Sequence, residues 1–253
     1  MARHVAPALR ALLDRLIDYA GTFPPAALPR QTAVANYRRY RAGEHAWMLR
    51  WLVVGVGDLA NVPRELDGAL AVLTDVDEPR AAVIETKRIV RATRPAYCEV
   101  TVNDLDEVKR AGAFAKLRTG GVKPEAIPAV ADVAAFIVAC ADRRLPFKAT
   151  AGLHHPVRAS HALTYEPGAP QGVMHGFLNV FLAAAFAWHG DRDLEPVLAE
   201  TDPAAFRFDD RAGWRDRSLD AARVREARRQ FAHSFGSCSF DEPVRDLEAL
   251  GLL

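Results

Sequence analysis

Two lysines in short apolar segments are the residues whose types and spacing most clearly indicate chemistry. Lys116 lies in AFAKLRTGG and Lys148 in LPFKATAGL, 32 positions further along. A lysine in a buried strand destabilises the folded protein unless it is paired with an acidic group, and it is otherwise kept for a function. On neighbouring parallel strands the two ammonium groups would lie side by side, and each would lower the other's pKa. A neutral amine near pH 7 is a nucleophile for carbonyl carbons.

Strand alternation places further charges on the face that carries the lysines. Side chains alternate between the two faces of a strand, so Glu85, Glu99 and Arg118 face the same way as the lysines, opposite residues such as Ile84. In a barrel the apolar face packs outward on helices and the polar face lines the interior. We expect a charged interior to be a functional site. One alternative is a structural network of ion pairs inside the barrel. The other is a two-layer sheet whose polar face is exposed to solvent.

The charged set predicts Schiff-base chemistry. One lysine would attack a carbonyl, and the other would keep the first amine neutral and donate protons. Glu85 or Glu99 would carry protons between groups. The structural alternative is that each lysine is salt-bridged to one of these glutamates.

Three motifs resemble those of class I (Schiff-base) aldolases of the deoxyribose-phosphate aldolase type. FAKLRTGG, FKATAGLHH and FGSCSF occur in the order in which that family has its Schiff-base lysine strand, a second lysine strand and a phosphate-binding turn. The resemblance implies a TIM-type barrel with Lys116 as the Schiff-base lysine, Lys148 as its partner and Glu85 as the proton shuttle. It also implies that the phosphate turn contains Gly236, Ser237 and Ser239.

Further residues suit an anionic substrate. The Arg118 guanidinium can bind a carboxylate or phosphate with two hydrogen bonds, and the backbone amides of Gly120 and Gly121 can approach the same group. Histidines after the next strand and in VMHGFLN would add hydrogen bonds; they are His154, His155 and His175.

A rival interpretation uses the same histidines as ligands of Zn²⁺, together with Glu99 or Cys238. Adjacent histidines on an extended segment point apart, and the chain has no HxH or HExxH motif. We therefore expect no metal ion, and the lysine chemistry requires no cofactor. Cys238 is interpreted as a buried thiol because no dedicated base is evident beside it.

The elements that must position these residues alternate between strand and helix. Strands are predicted at 49–55, 69–75, 81–88, 96–102, 113–121 and 145–153. Helices are predicted at 6–17, 31–47, 104–111, 124–143, 177–188 and 221–234. This order predicts a (β/α)8 TIM-type barrel as a single domain over 1–253, with a helical insertion at 164–234 before the last strand. Residues 17–25 are interpreted as a helix stop and rigid cap. The alternative is that Asp18, Tyr19 and Thr22 line a site.

Composition limits the partners. A net charge of +1 argues against nucleic-acid or acidic-surface partners. Three cysteines without a CxxC motif predict reduced thiols and a cytoplasmic protein. The amphipathic N-terminus does not resemble a signal peptide, and the longest apolar run, 176–188, is too short to span a membrane. A small anionic substrate is the expected partner, and a homo-oligomer is possible.

The sequence therefore predicts an enzyme that performs aldolase- or lyase-type carbon–carbon chemistry on a small anionic carbonyl compound. Two alternatives remain. One is a metal- or acid/base-dependent lyase or isomerase in which the lysines act as electrostatic clamps. The other is a non-catalytic protein that binds small anions.

Overall fold

The structure is a computed structural model that describes residues 5–253. Residues 1–4 lie outside the described residues. They belong to the predicted domain and to the N-terminal segment that was compared with a signal peptide. The strands are β1 (Ile17–Tyr19), β2 (Leu49–Gly55), β3 (Leu70–Leu73), β4 (Ala81–Thr86), β5 (Ala96–Glu99), β6 (Phe114–Arg118), β7 (Phe147–Thr150), β8 (Ala159–Ala162), β9 (Gln171–Met174), β10 (Phe206–Phe208), β11 (Arg211–Trp214), β12 (Arg217–Asp220) and β13 (Ala232–Ser237). The α-helices are α1 (Pro7–Leu13), α2 (Arg30–Arg41), α3 (Leu105–Arg110), α4 (Val130–Asp142), α5 (Phe177–Trp188), α6 (Glu195–Ala199), α7 (Ala221–Gln230) and α8 (Asp241–Ala249).

Eight parallel strands close into a barrel in the order β1-β13-β7-β6-β5-β4-β3-β2, and β2 pairs with β1. The predicted TIM-type α/β barrel is therefore confirmed. All six strands predicted between residues 49 and 153 belong to it. Their pairing follows chain order because each short connection leads to the neighbouring strand.

The two faces of the strands differ as alternation predicts. Val54, Val72 and Ile84 belong to the main apolar core, which includes the helices outside the barrel. A second, smaller apolar cluster inside the barrel contains Val53, Ala71, Val83 and Tyr97. The barrel interior is thus filled by side chains, with charge concentrated in part of it.

The helices around the barrel are unevenly distributed. The connections at 56–69, 74–80 and 87–95, which the structure describes throughout, contain turns and short 3₁₀ segments in place of α-helices. The buried Arg80 ties two of these connections together, because its guanidinium donates to the carbonyl oxygens of Leu59 and Val62 and to Asp67 at 2.5–2.6 Å. These bonds satisfy backbone groups that have no helix to pair with.

The segment between β7 and β13 corresponds to the predicted insertion at 164–234, but it is not purely helical. It holds the antiparallel hairpin β8–β9, helices α5, α6 and α7, and the antiparallel sheet β10–β11–β12. The prediction of a helix over 221–234 is wrong at its end. The helix stops at Gln230, and residues 232–237 form β13, which closes the barrel between β7 and β1.

Two N-terminal predictions also change. The helix predicted at 6–17 ends at Leu13, and Arg15 has a left-handed backbone with φ of 48°. Residues 17–19 of the predicted cap form strand β1 and pair with β13 and β2. A three-residue segment is too short to show the alternation of a strand. Its strand conformation is therefore set by pairing with its two neighbours.

One helical stretch, Pro124–Asp142, is long and apolar enough by composition to cross a membrane. It contains α4, whose Val133, Phe136 and Ile137 are buried in the core of the barrel. The apolar helix α5 is buried along its whole length, as the sequence predicts. Helix α4 therefore packs on the apolar core with one face, and α5 is surrounded by it.

Candidate active site

A cavity of about 720 Å³ lies at the carboxyl ends of the barrel strands. Its wall includes residues at or after the ends of several strands: Thr74, Thr86, Gly121, Gly152 and Gly236. Ligands of α/β barrels bind at this face because the connecting loops can vary there without disturbing the barrel. The cavity is the candidate active site.

Three of the predicted catalytic residues meet in its wall. Lys116 Nζ lies 3.3 Å from Glu85 Oε2 and 3.3 Å from Glu99 Oε2. Glu99 faces Lys116 in the strand register, and Glu85 is on the strand before Glu99. All three side chains line the cavity, and Lys116 has only 4% of its surface exposed.

Lys148 stands beside Lys116 on the neighbouring strand, as the sequence predicts. Its Nζ is 2.5 Å from Glu85 Oε1 and 2.5 Å from Asp18 Oδ2. Lys148 and Asp18 are fully buried and do not belong to the cavity wall. Lys116 is thus the lysine that a bound molecule can reach, and Lys148 lies behind it.

The expectation that the lysines lower each other's pKa is wrong for Lys148. Burial lowers its pKa, but Asp18 and Glu85 outweigh burial and raise it above the ordinary value. Burial raises the pKa of Glu85, but Lys148 and Lys116 outweigh it and lower the pKa to about 2. The direct contacts between the ammonium groups and the carboxylates decide these ionisations. Lys148 therefore remains an ammonium group.

Asp18 joins this cluster, although the sequence favours a rigid cap at residues 17–25 and offers Asp18 as a site residue only as the alternative. Its carboxylate accepts a hydrogen bond from Ser234 Oγ at 2.7 Å as well as the one from Lys148. The available signal was an acidic residue directly between apolar Ile17 and Tyr19. The cap interpretation depends on Gly21 and the two prolines that follow, and β1 is too short for alternation to place Asp18 on the face that carries Lys148.

Arg118 lines the cavity and is paired with Glu99, with Nε 2.8 Å from Oε1. It lowers the pKa of Glu99 against the effect of burial, together with Lys116. The guanidinium therefore positions Glu99, and the 45% of the Arg118 side chain that remains exposed can still meet an anion.

The two predicted glycines have different surroundings. Gly121 lines the cavity. Gly120 packs on Gly152 of the next turn, where a Cβ on Gly152 would lie 2.7 Å from the Gly120 Cα. Glycine at 120 and 152 is thus required by the close approach of two backbones.

Two histidines in another part of the wall each pair with a carboxylate. His154 Nδ1 is 2.9 Å from Glu242 Oε2, and His155 Nδ1 is 2.6 Å from Asp246 Oδ2. Tyr165 also contacts Glu242, at 3.2 Å. Burial would raise the pKa of Glu242, but the hydrogen bond from His154 lowers it. These pairs hold imidazole rings at the cavity and supply acid/base groups.

Like Gly120, three other predicted binding residues lie outside the cavity wall. His175 is fully buried, with Nε2 2.9 Å from the Pro128 carbonyl oxygen, and burial lowers its pKa. Ser237 Oγ accepts from the Ser239 amide, and Ser239 Oγ accepts from the amide of Glu242 at the start of α8. These serines therefore shape the turn, while its neighbours Gly236 and Cys238 line the cavity.

Lys87 is a cation of the wall that sequence reasoning placed on the polar face without a role. It is exposed, lines the cavity and has no ion-pair partner among residues 5–253. An anionic group entering the cavity can pair with it. Within the same described range, no group of three or more His, Cys, Asp or Glu side chains is arranged to hold a metal ion.

The geometry defines an α/β barrel with a lysine–carboxylate cluster at the carboxyl ends of its strands. Comparison with family models, with curated proteins and with solved structures gives no match to the chain. Arguments about function therefore depend on the site itself.

Proposed function

We propose that the protein is an enzyme that acts on a small anionic carbonyl compound through a Schiff base at Lys116, in aldolase- or lyase-type chemistry. The observation that carries the proposal is the position of Lys116. Its Nζ lies in the wall of the cavity at the carboxyl ends of the strands, between two carboxylates at 3.3 Å each.

The neighbours of Lys116 can supply the proton transfers. Glu85 or Glu99 takes a proton from the ammonium group, and the free amine attacks the carbonyl carbon. The carbonyl oxygen then leaves as water after protonation, which yields an iminium ion. Lys148, which contacts Glu85 from behind, stays positively charged while Glu85 gains and loses the transferred proton.

Carbon–carbon cleavage then follows from the iminium ion. The bond between the carbons α and β to the iminium carbon breaks, and its electron pair forms an enamine. A hydroxyl proton on the departing fragment passes to a carboxylate, so the fragment leaves as a carbonyl compound. The carboxylic acid protonates the enamine carbon, and water hydrolyses the resulting iminium ion to free Lys116.

The substrate class follows from the unpaired charge on the wall. Lys87 has no carboxylate partner among the described residues, and part of Arg118 stays exposed. Both cations suit a carboxylate or phosphate on the substrate. The free, buried state of Cys98, Cys140 and Cys238 supports a reducing, cytoplasmic location.

A second candidate function has its own observation. His154 and Glu242 form a hydrogen-bonded pair in the same wall, an arrangement that serves general acid/base catalysis. In this case the protein is a lyase or isomerase, and the lysines act only as electrostatic clamps.

Borohydride trapping separates these functions. The protein is incubated with short aldehydes, ketones, 2-oxo acids and sugar phosphates, reduced, digested and analysed by mass spectrometry. We expect an adduct on the peptide that contains Lys116, absent in Lys116→Met and retained in Lys123→Met, which removes an exposed lysine. Turnover without an adduct would favour the acid/base function. Saturable binding without turnover would identify a binding protein.

A further inference from the structure

A second cavity, of about 510 Å³, lies at the opposite end of the barrel. Its wall includes residues at or near the starts of strands: Arg50, Trp51, Ala82, Phe114 and His233. Residues from the end of α1 and from α7 complete the wall. The proposed catalytic cavity shares none of these residues.

The wall of this second cavity is strongly basic. Five arginines line it, and the single acidic residue in the wall is Asp14. The arginines are Arg15, Arg50, Arg225, Arg228 and Arg229. Across residues 5–253, none of the five forms a salt bridge. Like charges gathered in this way repel one another unless an anion neutralises them.

Arg228 is the member with a structural role. It is buried and donates to the carbonyl oxygens of Leu12 and Asp14, at 2.7 and 3.2 Å, and to that of Ala232. Burial, with Arg50 nearby, lowers its pKa to about 9. The other four arginines are accessible, because Arg15, Arg225 and Arg229 are exposed and Arg50 is half-buried.

Trp51 provides an independent observation. The guanidinium carbons of Arg15 and Arg50 lie 5.0 and 5.4 Å from the centroid of its ring. Both contacts are within the range of a cation–π interaction, so the ring of Trp51 holds two of the arginines at the cavity.

The end of α1 brings Arg15 to the cavity. Arg15 follows the C-cap Asp14 and has φ of 48°, the left-handed conformation that commonly ends a helix. Its side chain reaches the cavity wall beside Trp51.

We propose that this cavity binds a small polyanion, a molecule with two or more phosphate or carboxylate groups, held by Arg15, Arg50, Arg225 and Arg229. Guanidinium groups bind both kinds of anion with paired hydrogen bonds, and four of them exceed what one monoanion needs. The ring of Trp51 holds Arg15 and Arg50 in place for this contact.

Calorimetric titration at constant, low ionic strength tests the proposal with two probes, inorganic pyrophosphate and citrate. We expect at least one probe to bind with one site per chain. The double substitution Arg225→Gln/Arg229→Gln should weaken that binding at least tenfold. Both residues are exposed, so circular dichroism should show an intact fold. Binding of pyrophosphate alone would assign a phosphate ligand, and binding of citrate alone a carboxylate ligand.

Two control variants make the test specific. Arg223→Gln removes an arginine from the same helix that does not line the cavity, and Arg91→Gln removes an exposed arginine that lines neither cavity. Both should bind the probes like the unmodified protein. Absence of binding by both probes, or equal weakening in either control, would overturn the proposal.

Discussion

Lys116 and Lys148 share the carboxylate of Glu85, with Oε2 3.3 Å from the first amine and Oε1 2.5 Å from the second. The two lysines face each other across β6 and β7, so without this carboxylate two ammonium groups would meet in a buried place. Glu85 therefore stabilises the arrangement. In the proposed Schiff-base chemistry, the same carboxylate would also accept the proton of Lys116.

Removal of one buried charge should be costly. Lys148→Met leaves Asp18 and Glu85 facing each other without their shared cation, and we expect a loss of about 3 to 5 kcal/mol in the free energy of unfolding. Urea denaturation measures it. Lys123→Met, at an exposed lysine without a partner among the described residues, should change stability by less than about 0.5 kcal/mol. Equal effects of the two substitutions would contradict the role assigned to Lys148.

The stability of the protein should fall at mildly acidic pH because of His233. Burial, with Arg50 and Arg228 nearby, lowers the pKa of His233 from 6.5 to about 3. Below pH 6.5 the unfolded chain binds a proton at this residue that the folded chain does not, so stability falls as the pH falls towards 3. His233→Gln should remove about 1 kcal/mol of the stability lost between pH 7.5 and 5.5. Parallel stability profiles for the two proteins would refute this.

The contact between the turns after β6 and β7 should exclude any side chain at residue 152. Gly152 and Gly112 have similar positive φ angles, 77° and 71°. A Cβ at Gly152 meets Gly120, whereas a Cβ at Gly112 meets nothing within 4 Å. Gly112→Ala should cost about 1 kcal/mol of unfolding free energy from its backbone alone. Gly152→Ala should cost at least about 2 kcal/mol, since a steric clash adds to a similar strain. Thermal denaturation of both variants provides the comparison.

Arg80 should be essential for the part of the barrel without α-helices. Arg80→Met removes three bonds and leaves the carbonyl oxygens of Leu59 and Val62 without that donor, so we expect a loss of about 3 kcal/mol. Arg88→Met is the matched control, because Arg88 is exposed and 4.0 Å from its acidic neighbour. Its effect should stay below about 0.5 kcal/mol. Hydrogen exchange should also accelerate in residues 56–69 of the first variant.

The sequence by itself determined the barrel class and which side chains point inward. Alternation with a period of two is a local property, so it placed Glu85, Glu99, Lys116 and Lys148 on one face before any contact was known. The six strands between residues 49 and 153 carry enough residues to show it. The three-residue strand β1 is too short to show alternation, and the sequence does not predict it. The last strand is expected only after residue 234, whereas β13 begins at Ala232, inside the helix predicted at 221–234.

The tertiary structure alone decided which charges meet and which ones dominate. Asp18 joins Lys148 from the far end of the chain, and its carboxylate reverses the pKa shift expected from two neighbouring lysines. The basic cavity likewise combines residues 14–15, 50–51 and 225–233. Closure of a barrel brings the first and last strands together, and electrostatic interactions depend on those distances in space, which local patterns do not contain.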